Sequence, residues 1–553
     1  MESVDFTSVL PFELIHHIFT FLDVRSIGMT VQLNRVARMI SDDQLIWKHL
    51  FETSFGNGRY RRRRLPKLKG YKEEVITNSK VNQPICIPKF APSYAPLERI
   101  VLGSFSIKDL PYICTQLKKN QYLKDVEIGA NFGLYFSDND RDTIMPSFIS
   151  VLFELNLRSI IFDNPFMNVV ANQWILETTL KSKTLKTLGL PICTYRFDES
   201  RKNIAKKSRL KKIILYQTGR DLRFAGQLLK LNKHLRELVI RGETLLVDKT
   251  ILYHLRGMAN AIRSNTTLKS LEINFVEPYT EHLEFLFDAI ANNISLNTLV
   301  LKFPELTYEP HKFSLLGKVD EILKSNKTLK RLTIWTNIEC KANDVYSILR
   351  HTNQLSFLDL SGLTNFRSIG RPIISKDIAF ETMTLSLLKD MVTNTSIKEL
   401  QLNIRHIGYE GASLIADILR SNDTLKTLSI NFTNIQNKGF AEICDALCAN
   451  TTLISLNILG NKPRALGASA LIDVFMKNKT LETLRVNQLP KKTIGKIMLA
   501  LSMNNTLLSL DMPNQNVPNV SEVEEMLKNN TTLAYFSINR IDHLIPKSLR
   551  RCY

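Results

Sequence analysis

The chain has 553 residues, 44% of them hydrophobic and 23% charged, with a formal net charge of +20. That composition is ordinary for a soluble protein, but the length exceeds one compact core, so several domains or a repeat array are expected. No run approaches the ~18 apolar residues of a membrane span. The start MESVDFTSVL has two acids and no basic stretch, so it does not read as a secretory signal. A cytoplasmic and/or nuclear protein is the expectation. Seven scattered cysteines without a CxxC pair fit neither a disulfide framework nor a zinc site. Cys444 and Cys448 have the spacing of one helical face and read as small apolar core residues.

Residues 1–56 carry a net charge of −3 and predict three short helices. The first opens at Leu10-Pro11, where proline suits the first helical turn, and repeats apolar residues at Leu10, Leu14, Ile18 and Leu22 with Ile15 and Phe19 alongside. Asp23 ends that run and can cap a second helix beginning near Ser26. Ser41-Asp42-Asp43-Gln44 is a capping box ahead of Leu45-Ile46-Trp47. Such a small core often needs a partner to complete it.

From LPFELIHHIFTFLDVRSI through LNRVARMISDDQLIWKHLF this segment resembles the F-box family. The Leu-Pro-x-Glu-Leu start, the Ile-Phe-x-Phe-Leu-Asp block and the Asp-Asp before Trp-Lys all sit at family spacing. The resemblance implies docking on a small adaptor protein that hangs from a cullin, through Leu10, Pro11, Leu14, Ile18, Phe19, Leu22, Leu33 and Ile40, with Trp47 anchoring the last helix. Two positions depart from the pattern: Ala37 stands where an aromatic is usual, and Asn34 where Cys or Ser is common.

Residues 57–96 form a basic, proline-containing linker or packing segment, with a net charge of +8 over residues 57–89. The cluster Arg61 to Arg64 reads as a solvated surface or a helix lying on the repeats; a nuclear import signal and a nucleic-acid contact are the alternatives. With one interleaved aromatic and no binding fold around it, nucleic acid is disfavoured as a partner.

From residue 97 to 553 a unit recurs: Leu-x-x-Leu-x-Leu, a polar turn, then an amphipathic helix. Its leading apolar residue falls at Leu97, Leu123, Leu157, Leu185, Leu210, Leu235, Leu268, Leu296, Leu329, Leu355, Ile397, Leu425, Leu453, Leu481, Leu507 and Leu533, and five of the fifteen spacings are 28 residues. Such periodicity marks a leucine-rich repeat solenoid. The expected fold is therefore an α/β solenoid, a horseshoe of about sixteen strand-helix units similar to the ribonuclease-inhibitor type, ending in an irregular cap and preceded by an all-α three-helix F-box domain. Gly411, Gly439, Gly467 and Gly495 are expected just before helices, and Asn394, Asn422, Asn450 and Asn478 at helix ends, where asparagine tolerates a left-handed backbone.

Within each unit the residues two, four and six after the leading position face away from the core. In the middle of the array these include Ile161, Ile214, Tyr216, Val239, Val300, Trp335 and Phe357, among Lys212, Arg241, Lys302 and Arg331. Aromatic residues ringed by basic ones suit a protein-binding hot spot, so Lys212, Tyr216, Arg241, Lys302, Arg331, Trp335 and Phe357 are the candidate contacts for an acidic, partly apolar protein segment. The later units offer small polar groups such as Gln401, Asn403, Ser429, Asn431, Asn457 and Asn487. About fourteen extra residues around Asn365 to Lys376 are expected to form a loop over this face.

No phosphate-binding loop, HExxH or GxSxG is present. No catalytic residue, metal or cofactor is expected. The resemblance implies a non-catalytic adaptor that selects substrates for an SCF-type cullin-RING ubiquitin ligase; a leucine-rich scaffold or inhibitor acting outside ubiquitination is the alternative.

Overall fold

The computed structural model describes residues 99–538, apart from 103–109, 121–122, 130–146, 163–168, 191–198, 217–218, 245–248, 278–279, 304–314, 337–350, 364–384, 387, 405–406 and 514–519. The F-box-like segment, the basic linker, Leu97 and the extra residues around Asn365 to Lys376 lie outside the described residues. The chain divides into two compact units, Met1–Gly242 and Glu243–Tyr553.

The first unit carries β1 (Arg99–Leu102), β2 (Asp125–Ile128), β3 (Ser159–Phe162), β4 (Thr187–Leu190), β5 (Lys212–Tyr216) and most of β6 (Glu237–Thr244), with α1 (Leu110–Lys119), α2 (Val169–Lys181), α3 (Glu199–Lys207) and α4 (Gly219–Leu231) between them. Each strand pairs in parallel with the next along the chain. A parallel pair needs a crossover, and the helices supply it.

The second unit begins with α5 (Lys249–Ser264), β7 (Ser270–Glu277), α6 (Thr280–Ala291), β8 (Thr298–Phe303), α7 (Leu315–Ser325), β9 (Arg331–Thr336) and β10 (Phe357–Leu363). It continues with β11 (Glu399–Gln401), α8 (Gly408–Ser421), β12 (Thr427–Ser429), α9 (Gln436–Ala449), β13 (Ser455–Asn457), α10 (Ala465–Lys477), β14 (Thr483–Arg485), α11 (Lys491–Met503), β15 (Ser509–Met512), α12 (Val520–Asn529) and β16 (Tyr535–Ile538). These strands too follow chain order, all in parallel. The fold is an α/β solenoid of leucine-rich units.

Every one of the sixteen strands starts two residues after a leading position read from the sequence. The fifteen described leading residues are all buried, and so are the residues three and five further on, such as Val126 and Ile128 or Leu299 and Leu301. Burying each such side chain contributes about 1.5–3 kcal/mol, which fixes the register: a slip of one residue would turn the whole apolar set toward water. From the helices, Ile415, Leu419, Ile443, Leu447, Leu471 and Phe475 close the other side of this core, while Ile472 is only half-buried.

The asparagines three residues before the leading position have a different cause from the one expected. Asn422, Asn450, Asn478 and Asn504 have extended backbones, with φ between −86° and −72° and ψ between 124° and 134°, not left-handed ones. Their side chains explain them. Asn478 Nδ2 donates to the carbonyls of Leu447 (2.7 Å) and Asn450 (3.1 Å), while its Oδ1 accepts from the amides of Thr480 (2.9 Å) and Leu481 (2.7 Å). Asn293, Asn326, Asn422 and Asn530 repeat that four-bond arrangement. One amide group thus satisfies helix-end carbonyls of the preceding repeat and turn amides of its own.

The glycines also differ from expectation. Gly411, Gly439, Gly467 and Gly495 are the third to fifth residues of α8 to α11 and lie inside these helices, not before them. A Cβ added at Gly439 would come within 2.4 Å of the Ala412 Cβ, so glycine there permits close helix-to-helix approach.

Candidate protein-binding face

The alternation places residues two, four and six after each leading position on the face opposite the core. In the first unit, Lys212 and Glu237 are register partners and form an ion pair at 2.9 Å. Arg241 lies over the ring of its partner Tyr216, 5.6 Å from the centroid. Ile214 and Val239, read from the sequence as part of an open apolar patch, are buried between these two rows.

In the second unit, Lys302 pairs with Glu272 at 2.9 Å. Arg331, Phe357 and Glu399 occupy the same register on β9, β10 and β11. The Arg331 guanidinium sits 3.9 Å from the Phe357 ring centroid and reaches past it to Glu399 at 3.3 Å. Phe357 is therefore only 9% exposed, roofed by a cation that is itself neutralised. Trp335, by contrast, is 38% exposed. Its ring occupies the space a side chain on Gly362 would need: a Cβ there would come within 1.9 Å of the Trp335 Cδ1. The pairing of β9 with β10 shifts register between Asp359 and Gly362, and this irregularity sets Gly362 opposite Trp335.

Lys212, Lys302 and Arg331 are thus each matched by an acid, and Glu237, Glu272 and Glu399 were legible at the same outward positions. Of the aromatic candidates, Trp335 is the one that this face presents openly. From β11 onward the face is a polar network. Asn403 Oδ1 accepts from Ser429 Oγ (3.0 Å) and the Asn431 amide (2.7 Å), and Asn431 Oδ1 accepts from the Leu459 amide (3.1 Å). Ser429 and Asn487 are buried rather than open.

These networks shape the loops that lead from strand to helix. Phe432, Gly460 and Gln488 occupy the same repeat position, 28 residues apart, and all three are left-handed, at φ 57°, 78° and 59°. That conformation costs a bulky residue roughly 1–2 kcal/mol and a glycine little. Phe432 nonetheless holds its ring 65% exposed, lying against Gly460, where a Cβ would meet Phe432 Cδ1 at 2.2 Å. The sequence carries no signal that sets it apart, since phenylalanine, glycine and glutamine share this position in successive 28-residue repeats.

No protein-family model matches this chain, and no curated protein does. Among solved structures, one titled as the complex of Rad7 and Elc1 in yeast is similar over 75% of this chain and 85% of that chain, with 12% identity and a TM-score of 0.38. Leiomodin-1 actin-binding site 2 is similar over 32% of this chain and 96% of that chain, with 20% identity and a TM-score of 0.23.

Proposed function

We propose that this chain is the substrate-recognition subunit of an SCF-type cullin-RING ubiquitin ligase. In this reading Leu10, Pro11, Leu14, Ile18, Phe19, Leu22, Leu33, Ile40 and Trp47 dock the cullin-linked adaptor, and the outward face of the strands holds a protein substrate. The observation that carries the proposal is the F-box-like run from Leu10 to Phe51 N-terminal to a sixteen-strand leucine-rich array. A solenoid of this kind exposes a long surface of independently variable side chains, suited to gripping another protein. The chain itself would perform no bond chemistry; it would raise the effective concentration of substrate beside the catalytic subunits. It would work in the cytoplasm, the nucleus or both.

The test is co-purification of the cullin adaptor with the full chain. The adaptor is expected to be captured by wild type and lost on Leu10→Ala/Pro11→Ala; equal recovery with both, or with neither, would leave a leucine-rich scaffold or inhibitor acting outside ubiquitination. On the array, Trp335→Ala, at the aromatic side chain this face exposes, is expected to weaken substrate capture while adaptor recovery is unchanged.

A further inference from the structure

We propose that the loop edge following β12 to β14 is a docking site for an acidic polypeptide segment carrying an apolar anchor residue. This rests on the reading of the array as a protein-binding surface and is independent of adaptor docking. The three loops are tied into one edge. The Phe432 amide donates to the Leu459 carbonyl at 2.8 Å, the Gly460 amide to Asn487 Oδ1 at 2.7 Å, and the Arg464 amide to Asn437 Oδ1 at 2.9 Å.

Two observations define the ligand. The first is charge. Lys462, Arg464, Lys491 and Lys492 are exposed, and among the described residues none of their side chains meets an acid. The cations of the strand face behave differently, because Lys212, Lys302 and Arg331 each have a carboxylate partner. No acid stands in the first turn of α9, α10 or α11, so the partial positive charges of three helix starts add to the four side chains. The acids near this edge are Glu410 in α8, Glu442, which accepts from the Tyr409 hydroxyl, and Glu522, whose carboxylate lies beside Gly495. None of them forms an ion pair with the four cations.

The second observation is the exposed Phe432 ring. A phenylalanine in a left-handed turn, strained and yet not buried, is not accounted for by stability. With Leu466, 53% exposed at the start of α10, it gives the basic edge an apolar component. Single-stranded nucleic acid calls for successive aromatic platforms, whereas a single exposed ring suits one apolar side chain within an acidic peptide.

The experiment uses the full chain and fluorescence anisotropy with three probes: a short fluorescein-labelled peptide of alternating Asp and Glu around one Phe, the same peptide with Ala for Phe, and an oligothymidylate of equal charge. The Phe peptide is expected to bind best. Phe432→Gly, which suits the left-handed backbone and should leave the thermal midpoint unchanged or raised, is expected to weaken it at least about tenfold. Lys491→Glu/Lys492→Glu is expected to do the same and to flatten the salt dependence, and Leu10→Ala/Pro11→Ala to change nothing. Equal binding of the Phe and Ala peptides, tighter binding of the oligothymidylate, or affinity unchanged by Phe432→Gly would each overturn the proposal.

Discussion

Replacing Asn478 by alanine removes four hydrogen bonds to the backbone at once, two donated to the Leu447 and Asn450 carbonyls and two accepted from the Thr480 and Leu481 amides, besides a long one from the Thr480 hydroxyl. At about 1 kcal/mol each the bonds account for roughly 4 kcal/mol. Asn478 is 2% exposed and Leu481 equally buried, so water cannot readily replace the lost partners. Thr480 is only half-buried, and hydration of its amide would recover part of the loss. The expected cost is therefore about 3–5 kcal/mol, at the upper end for a single substitution. Because the bonds join one repeat to the next, the loss should uncouple neighbours rather than melt one helix. Urea unfolding followed by circular dichroism gives the magnitude, and hydrogen exchange at the Leu481 amide gives the location. Asn478→Ser should fall between wild type and alanine, since Ser182 shows what one hydroxyl achieves at this position, accepting from the Leu185 amide at 3.2 Å. A cost below about 1 kcal/mol, with the Leu481 amide still protected, would refute the reasoning.

Four further outcomes follow from the same structure. Gly439→Ala forces a methyl group against Ala412 and should destabilise by about 1–3 kcal/mol. Gly257→Ala, in α5 with nothing within 4 Å of the new Cβ, should stabilise by about 0.5–1 kcal/mol; thermal midpoints of the pair moving in the same direction would contradict the packing explanation. Arg331→Ala removes a half-exposed ion pair and a cation stacked on Phe357, so denaturant titration should show a loss of no more than about 1–2 kcal/mol. Burial pushes the Cys444 thiol well above its ordinary pKa, leaving less thiolate at any given pH. Mass spectrometry after native alkylation should find Cys444 unmodified when denatured protein is fully labelled.

Sixteen leading positions located sixteen strands because a two-residue alternation with one buried face admits a single register. The reason for the asparagines was misread, because a sequence shows which residue ends a helix but not where its amide group reaches. Asn478 bonds to Leu447 and Asn450, residues of the preceding repeat, a contact that exists only once the repeats stack. Gly439 was misplaced for a related reason: helix starts drift by a few residues, and the close approach to Ala412 is tertiary. On the candidate face, the outward positions were legible but their exposure was not. Phe357 counts as an open aromatic until Arg331 and Glu399 close over it from the two neighbouring strands. Phe432 escaped notice because its meaning depends on the left-handed turn it shares with Gly460.

The most direct measurement of the central claim is the mass, by light scattering after size exclusion, of the full chain mixed with the purified cullin adaptor. A one-to-one complex with wild type, and free chain with Leu10→Ala/Pro11→Ala, is the predicted result. Two separate species with the wild-type chain would contradict the assignment and leave only a leucine-rich surface in search of a different role.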